Sequence, residues 1–75
     1  MTRLPDVVSG RECTRALAKA GFYFKRQDGS HIVLRRDEPF AQVVVPDHRH
    51  LSAGTLRAII RQAGLGVDEF AGLLR

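Results

Sequence analysis

Several features are scarce in this sequence, and each scarcity excludes a class of protein. The single cysteine, Cys13, cannot form an internal disulfide, which excludes a disulfide-stabilised scaffold and fits a reducing compartment. The longest uninterrupted apolar runs, such as Val43–Val45, have three residues, so no membrane-spanning segment is predicted. The first six residues contain no apolar stretch typical of a secretory signal, and we therefore expect a cytoplasmic protein.

The chain is also short and poor in acidic residues. Seventy-five residues are expected to form one domain over 1–75, and a chain of this size buries only about 60% of its unfolded surface. A Rossmann unit or a multi-lobed enzyme is therefore excluded. No P-loop, GxGxxG motif or paired-carboxylate site is present. The eight acidic residues are scattered, so we expect neither a catalytic pair of metal ions nor another cofactor.

What the sequence does contain is positive charge. Its net charge is +4, and ten of its twelve basic residues are arginines. Arginine is preferred where phosphates are held by a planar, bidentate group. Small basic proteins often bind nucleic acid or an acidic protein partner, although ordinary solvated surface charge is an equally simple explanation. Charge alone does not choose between these interpretations.

Hydrophobic spacing predicts a first helix that begins after Ser9. Ser9 and Glu12 fit a capping box, and Gly21 is typical of the residue that ends a helix. Apolar residues recur at helical spacing between them, which predicts one buried face: Cys13, Ala16, Leu17 and Ala20. Cys13 is therefore interpreted as a small core residue in preference to a catalytic thiol.

A sheet and further helices are predicted after Gly21. Alternating and β-branched residues separated by turn residues predict three strands, over 22–27, 31–36 and 40–45. A second helix is predicted over about 53–63 with Ser52 as its N-cap, and a short last helix with Asp68 as its cap. The order α-β-β-β-α-(α) predicts an α+β fold, in which a three-stranded antiparallel sheet carries its helices on one face.

The register of the first hairpin decides which side chains face solvent. A three-residue loop at 28–30 places Phe24 opposite Leu34 and Gln27 opposite His31. We prefer it to a two-residue loop, which would mix the apolar and polar faces. The predicted helix-facing side carries Phe22, Phe24, Ile32 and Leu34. The predicted open side carries Tyr23, Lys25, Gln27, His31, Val33 and Arg35.

His31 is the strongest candidate for chemistry. It follows a Gly-Ser turn at the start of a strand, and the predicted register exposes it. Histidine can move a proton near neutral pH, and Lys25 and Arg35 on the same face would bind a phosphate. An exposed histidine without a role is the alternative explanation.

The other candidate groups carry weaker signals. His48 and His50 flank Arg49 in a polar loop, and with Asp47 or Cys13 they could suggest a metal site. Their spacing is not a recognised zinc pattern, so a loop that contacts RNA is the preferred interpretation. The Gly-Ser-His turn does not have the context of a nucleophile elbow.

Six motifs occur together along the chain. They are Ser-Gly-Arg-Glu at 9–12, Ala-Gly-Phe at 20–22, Arg-Gln-Asp-Gly-Ser-His at 26–31, Val-Pro-Asp-His at 45–48, Gly-Thr-Leu-Arg-Ala-Ile-Ile-Arg-Gln-Ala-Gly-Leu at 54–65 and Asp-Glu-Phe at 68–70. In this combination they resemble the HicA toxins of bacterial and archaeal HicA–HicB toxin–antitoxin pairs. The resemblance covers about residues 9 to 74, and the combination is more specific than any motif alone.

This resemblance implies a fold, an activity and a partner. The fold would be like the double-stranded RNA-binding domain. The activity would be that of an mRNA interferase, a metal-independent ribonuclease, with the histidine of the Gly-Ser-His motif, His31, as the catalytic residue. The partner would be a HicB-like antitoxin, which we expect to cover the phosphate-binding face with acidic residues. Asp28 departs from the family, since relatives often carry a basic residue there.

Three functions remain open from the sequence. The leading one is an endoribonuclease in which His31 moves the proton and the RNA contacts are Lys25, Arg26, Gly29, Ser30, Arg35, Arg36, His48 and Arg49. The second is a non-catalytic RNA-binding module, although the start of the second helix, 52–56, lacks the lysines typical of such modules. The third is a protein-interaction subunit that has lost catalysis.

Overall fold

The computed structural model describes residues 4–75, so the first three residues of the chain lie outside it. The elements are α1 (Gly10–Lys19), β1 (Tyr23–Asp28), β2 (His31–Asp37), β3 (Phe40–Pro46), α2 (Ala53–Gln62) and α3 (Val67–Leu73). The strands form one antiparallel sheet in the order β1-β2-β3. The predicted α+β fold, which is like the double-stranded RNA-binding domain, is confirmed. None of the helices described here has the length and apolarity needed to cross a membrane.

The predicted cap of α1 is present. The Ser9 side chain accepts a hydrogen bond from the Glu12 backbone N–H at 3.0 Å, and the Ser9 N–H donates to Glu12 Oε1 at 2.9 Å. This backbone hydrogen bond from Ser9 is the main reason that the pKa of Glu12 is lowered. Gly21, with φ of +95°, follows the helix in a left-handed conformation, as expected for a C-terminal glycine.

The core lies between the helices and one face of the sheet. Alternate residues of the apolar runs of β2 and β3 point into it, including Leu34 and Val43. Val33 is buried on the other side of the sheet and lies outside this cluster. Cys13 is fully buried in the core, as predicted, and burial raises the pKa of its thiol to about 12. α2 and its C-cap residue present the predicted stripe to the same core: Leu56, Ile59, Ile60 and Ala63.

The predicted register of the first hairpin is partly wrong. Phe24 does lie opposite Leu34, but the loop has two residues, Gly29 and Ser30, and His31 lies opposite Asp28. A β-bulge at Lys25 supplies the extra residue that brings both pairings into one ladder. The chain can form this two-residue loop because Gly29 has a φ of +60°, the positive value that such turns require.

Three further expectations are wrong. Gln27 lies opposite the buried Ile32 and therefore on the helix side, not on the predicted open side. Phe24 is 57% exposed and borders a groove beside Arg11 of α1, so it does not pack into the core. At the other end of the chain, α3 begins at Val67 after an N-cap at Gly66, and Asp68 is not the cap.

Candidate functional site

His31 occupies the first position of the central strand, on the open face of the sheet. It is exposed, whereas its neighbour Ile32 points into the core. Its partners across the ladder are Asp28 on β1 and Pro46 on β3. The predicted accessibility of His31 is therefore confirmed, and the histidine is approached from solvent over the surface of the sheet.

The loop after β3 lies beside the turn that precedes His31. The Asp47 backbone N–H donates to the carbonyl of Ser30 at 2.6 Å, and the Gly10 N–H donates to the carbonyl of His48 at 2.8 Å. These bonds hold the exposed His48 and its neighbour Arg49 at the end of the sheet where His31 lies. The turn, His31 and the polar loop thus lie together, although they come from segments distant in sequence.

Asp47 adds long side-chain hydrogen bonds to this arrangement from the helix side. Its carboxylate accepts hydrogen bonds from the side chains of Arg11 at 3.5 Å and Gln27 at 3.4 Å. The Gln27 side chain also donates to the carbonyl of Gly29 at 3.0 Å. One carboxylate therefore connects α1, β1 and the loop. The sequence indicates Asp47 only as a candidate metal ligand, because contacts between segments this far apart leave no local pattern.

Arg26 is the arginine that the register brings near His31. It lies opposite Val33, so it shares the open face with His31, and its guanidinium Nε lies 2.9 Å from Asp28 Oδ2. Directly opposed side chains in a ladder have Cβ atoms about 5 Å apart, and diagonal neighbours lie about 7–8 Å apart. Asp28 is thus beside His31, and Arg26 is one diagonal step away. Both are exposed, so an anion can compete with Asp28 for Arg26.

Arg35 shares the open face but belongs to a separate cluster. It lies four residues along β2 from His31, a distance of about 13 Å at the usual rise per residue. Its Nε lies 3.1 Å from Asp37 Oδ1, and its guanidinium lies 5.1 Å from the ring centre of Phe40. Tyr23 donates to the same carboxylate at 3.1 Å. Partial desolvation, followed by this hydrogen bond, raises the pKa of Tyr23.

The structure does not bring Arg36 to the open face. Its side chain points to the helix side, where it donates to the carbonyls of Pro39 at 2.9 Å and Ala63 at 3.1 Å. The guanidinium also lies 4.7 Å from the ring centre of Phe22. Arg36 therefore caps the C-terminal end of α2 by donating to the carbonyl of its C-cap residue. The alternation of the apolar residues at 32 and 34 was the signal for this inward orientation, because residue 36 continues the same face.

The remaining candidate residues of the first hairpin are all exposed. Lys25 is the exposed bulge residue, outside the regular alternation of β1. Gly29 and Ser30 are exposed at the tip of the hairpin, and no atom lies within 4 Å of where a Cβ of residue 29 would be. Among residues 4–75, no three His, Cys, Asp or Glu side chains are grouped so that they could hold a metal ion.

Comparison with known proteins gives one family. No curated protein matches the chain. The sequence model of the family described as HicA toxin of bacterial toxin-antitoxin matches residues 10–65, which is well over half of the 75 residues. The matched region runs from α1 to the residues just after α2 and contains every candidate residue named above. The chain therefore belongs to the HicA toxin family, the toxins of bacterial toxin–antitoxin systems.

Proposed function

We propose that this toxin is an mRNA interferase, a metal-independent endoribonuclease in which His31 is the general base. The observation that carries the proposal is the position of His31, exposed on the central strand between the hairpin turn and the basic loop of His48 and Arg49. A histidine at such a place can meet an RNA backbone that lies across the open face. Its partner in the cell is a HicB-like antitoxin, and both act in the cytoplasm, where mRNA is found.

The reaction uses a nucleophile that RNA itself supplies. Neutral His31 accepts the proton of the 2′-hydroxyl, and the 2′-oxygen attacks the adjacent phosphorus. The bond from phosphorus to the 5′-oxygen of the next nucleotide then breaks. The products carry a 2′,3′-cyclic phosphate and a 5′-hydroxyl. DNA lacks the 2′-hydroxyl and should remain intact.

Negative charge develops on the phosphoryl oxygens during this attack. Arg26 is the cation best placed to stabilise it, because it lies diagonally across the ladder from His31 on the same face. The phosphate would replace Asp28 as the partner of Arg26, and the exposed backbone of Gly29 and Ser30 would line its approach. Arg49 lies in the loop held against this turn and would contact the same stretch of backbone.

Two cations would bind RNA farther from the cleaved bond. Arg35 lies about 13 Å along β2 from His31, so it would contact a neighbouring nucleotide instead of the phosphate that reacts. Lys25, exposed on the bulge of β1, would do the same at the edge of the sheet. Their removal should weaken RNA binding more than it slows the chemical step.

The leaving 5′-oxygen needs a proton. His48 is the candidate donor, because its segment is tied to the turn through the bond between Asp47 and Ser30. Water is the alternative donor. If His48 is the acid, His48→Ala should lower kcat by about a hundredfold; if water serves, the change should be small.

A growth assay tests the function. Induction of the wild-type gene without the antitoxin should arrest the host, whereas His31→Ala should not. His50→Ala is a matched control, since His50 is also exposed but lies outside the ladder, in the loop beyond Arg49. Equal arrest by wild type and His31→Ala would contradict a catalytic role for His31 and favour the non-catalytic RNA-binding module.

A further inference from the structure

The two edges of the sheet differ in how they are protected against pairing with another strand. β1, at one edge, carries the bulge at Lys25 and the charged side chains of Arg26 and Asp28. Bulges and charges are the usual devices that prevent an exposed strand from pairing with another chain. The edge formed by β1 is therefore protected against pairing with another strand.

β3, at the other edge, has none of these devices. Its sequence, Phe-Ala-Gln-Val-Val-Val-Pro, contains no charged residue, and its seven residues pair with β2 in an unbroken register. Proline occurs only at its last position. Within residues 4–75, no helix or loop forms a backbone hydrogen bond with 40–45 on the outer side. About half of the backbone N–H and C=O groups of β3 therefore face outward without a partner strand.

The open face beside this edge also carries exposed apolar side chains. Phe40 is 64% exposed and Val44 is 45% exposed, and they are two of the six large hydrophobic residues exposed on the described part of the protein. Val33, opposite Val44, lies on the same face but is buried. A strand added to β3 would satisfy the backbone groups and place its own side chains beside Phe40 and Val44.

We propose that β3 is the docking edge for an extended strand of the cognate antitoxin, which would convert the three-stranded sheet into a four-stranded one. This proposal rests on the toxin–antitoxin function. Unpaired backbone groups are matched by an extended peptide, which is the mode known as strand addition. A second copy of the toxin fits less well, because each copy carries a net charge of +4 and the two would repel.

The position of the edge also accounts for inhibition. His31 lies opposite Pro46, the last residue of β3. A strand paired with β3 would run about 10 Å from β2, the spacing of two strands, and chain that continues from it can cross the open face at His31. Docking at the β3 edge would thus place part of the antitoxin over His31, where it blocks the approach of RNA.

Hydrogen exchange measured by NMR on the full-length toxin tests the proposal directly. The probe is a purified HicB-like antitoxin, the partner proposed above, and the His31→Ala toxin is used so that the host survives expression. Outward amides of β3 should exchange fast in the free toxin and slow by about a hundredfold or more in the complex. Amides of β1, the protected edge, should change little. A complex in which β3 amides keep their fast exchange would overturn the proposal.

Binding by variants supplies a second readout. Val44→Lys should weaken antitoxin binding by about tenfold or more, because it places a charge where the added strand must pack. Phe24→Lys is the matched control, since Phe24 is similarly exposed but lies on β1. Equal effects of the two variants would overturn the proposal. It would also be overturned if the β3 amides became protected from exchange at high toxin concentration without antitoxin, since two toxin copies would then pair at this edge. An antitoxin that does not bind the toxin at all would refute the proposed strand pairing at β3. RNA cleavage by the wild-type toxin tests the proposed function separately.

Discussion

Arg36→Ala should destabilise the fold by about 2–4 kcal/mol, although Arg36 looks from the sequence like an RNA-binding residue. Its guanidinium donates to two carbonyls, of Pro39 and Ala63, and lies over the ring of Phe22. A hydrogen bond from a charged group contributes about 1.5–3 kcal/mol when buried, and less at this half-buried position. The contact with the ring adds about 0.5–1 kcal/mol. In a domain of this size, the melting temperature should fall by roughly 8–30 °C.

Urea unfolding followed by circular dichroism measures this loss. All variants carry His31→Ala so that they can be produced without harm to the host. Arg57→Ala is the matched control, because Arg57 is an exposed arginine of α2 and its removal should change the free energy of unfolding by less than about 0.5 kcal/mol. An Arg36→Ala protein of unchanged stability but weaker RNA binding would refute the structural role of Arg36.

Three further predictions concern other residues. Gly10→Ala should destabilise by about 1–3 kcal/mol, because a Cβ would collide with the Pro46 carbonyl, whereas Gly54→Ala on open helix surface should stabilise by about 0.5–1 kcal/mol. Urea unfolding checks both, and equal effects would contradict this packing. Cys13 should resist a thiol reagent at pH 8 until urea unfolds the chain, because its raised pKa and burial leave no accessible thiolate. Asp28→Asn should lower the KM for RNA by about threefold to tenfold, because it removes the carboxylate that competes with phosphate; an unchanged KM would contradict this.

Local patterns predicted the elements well because the forces that define them are local. The capping box at Ser9, the cap at Ser52 and the buried stripes of α1 and α2 depend on residues three or four positions apart. The prediction of the hairpin loop is wrong because the loop length does not depend on local residues alone. Residues 28–30 all have turn chemistry, and only the bulge at Lys25, which depends on packing across the sheet, shows that the loop is shorter.

The candidate site was predictable in its centre and less so in its surroundings. The position of His31 on the open face follows from strand alternation. The ion pair between Arg26 and Asp28 depends on the true register, and the carboxylate of Asp47 contacts Arg11, 36 residues earlier in the chain. Neighbouring arginines such as Arg35 and Arg36 look alike in sequence, yet the pleat of β2 sends them to opposite faces.

The most direct test of the central claim is analysis of the RNA ends left by purified toxin in the presence of EDTA. The account predicts that cleavage persists, that the products carry a 2′,3′-cyclic phosphate and a 5′-hydroxyl, and that His31→Ala lowers the rate by about a hundredfold or more while its circular dichroism spectrum stays unchanged. Products with a 5′-phosphate, a strict requirement for added magnesium, or full activity of folded His31→Ala would contradict His31 as the general base.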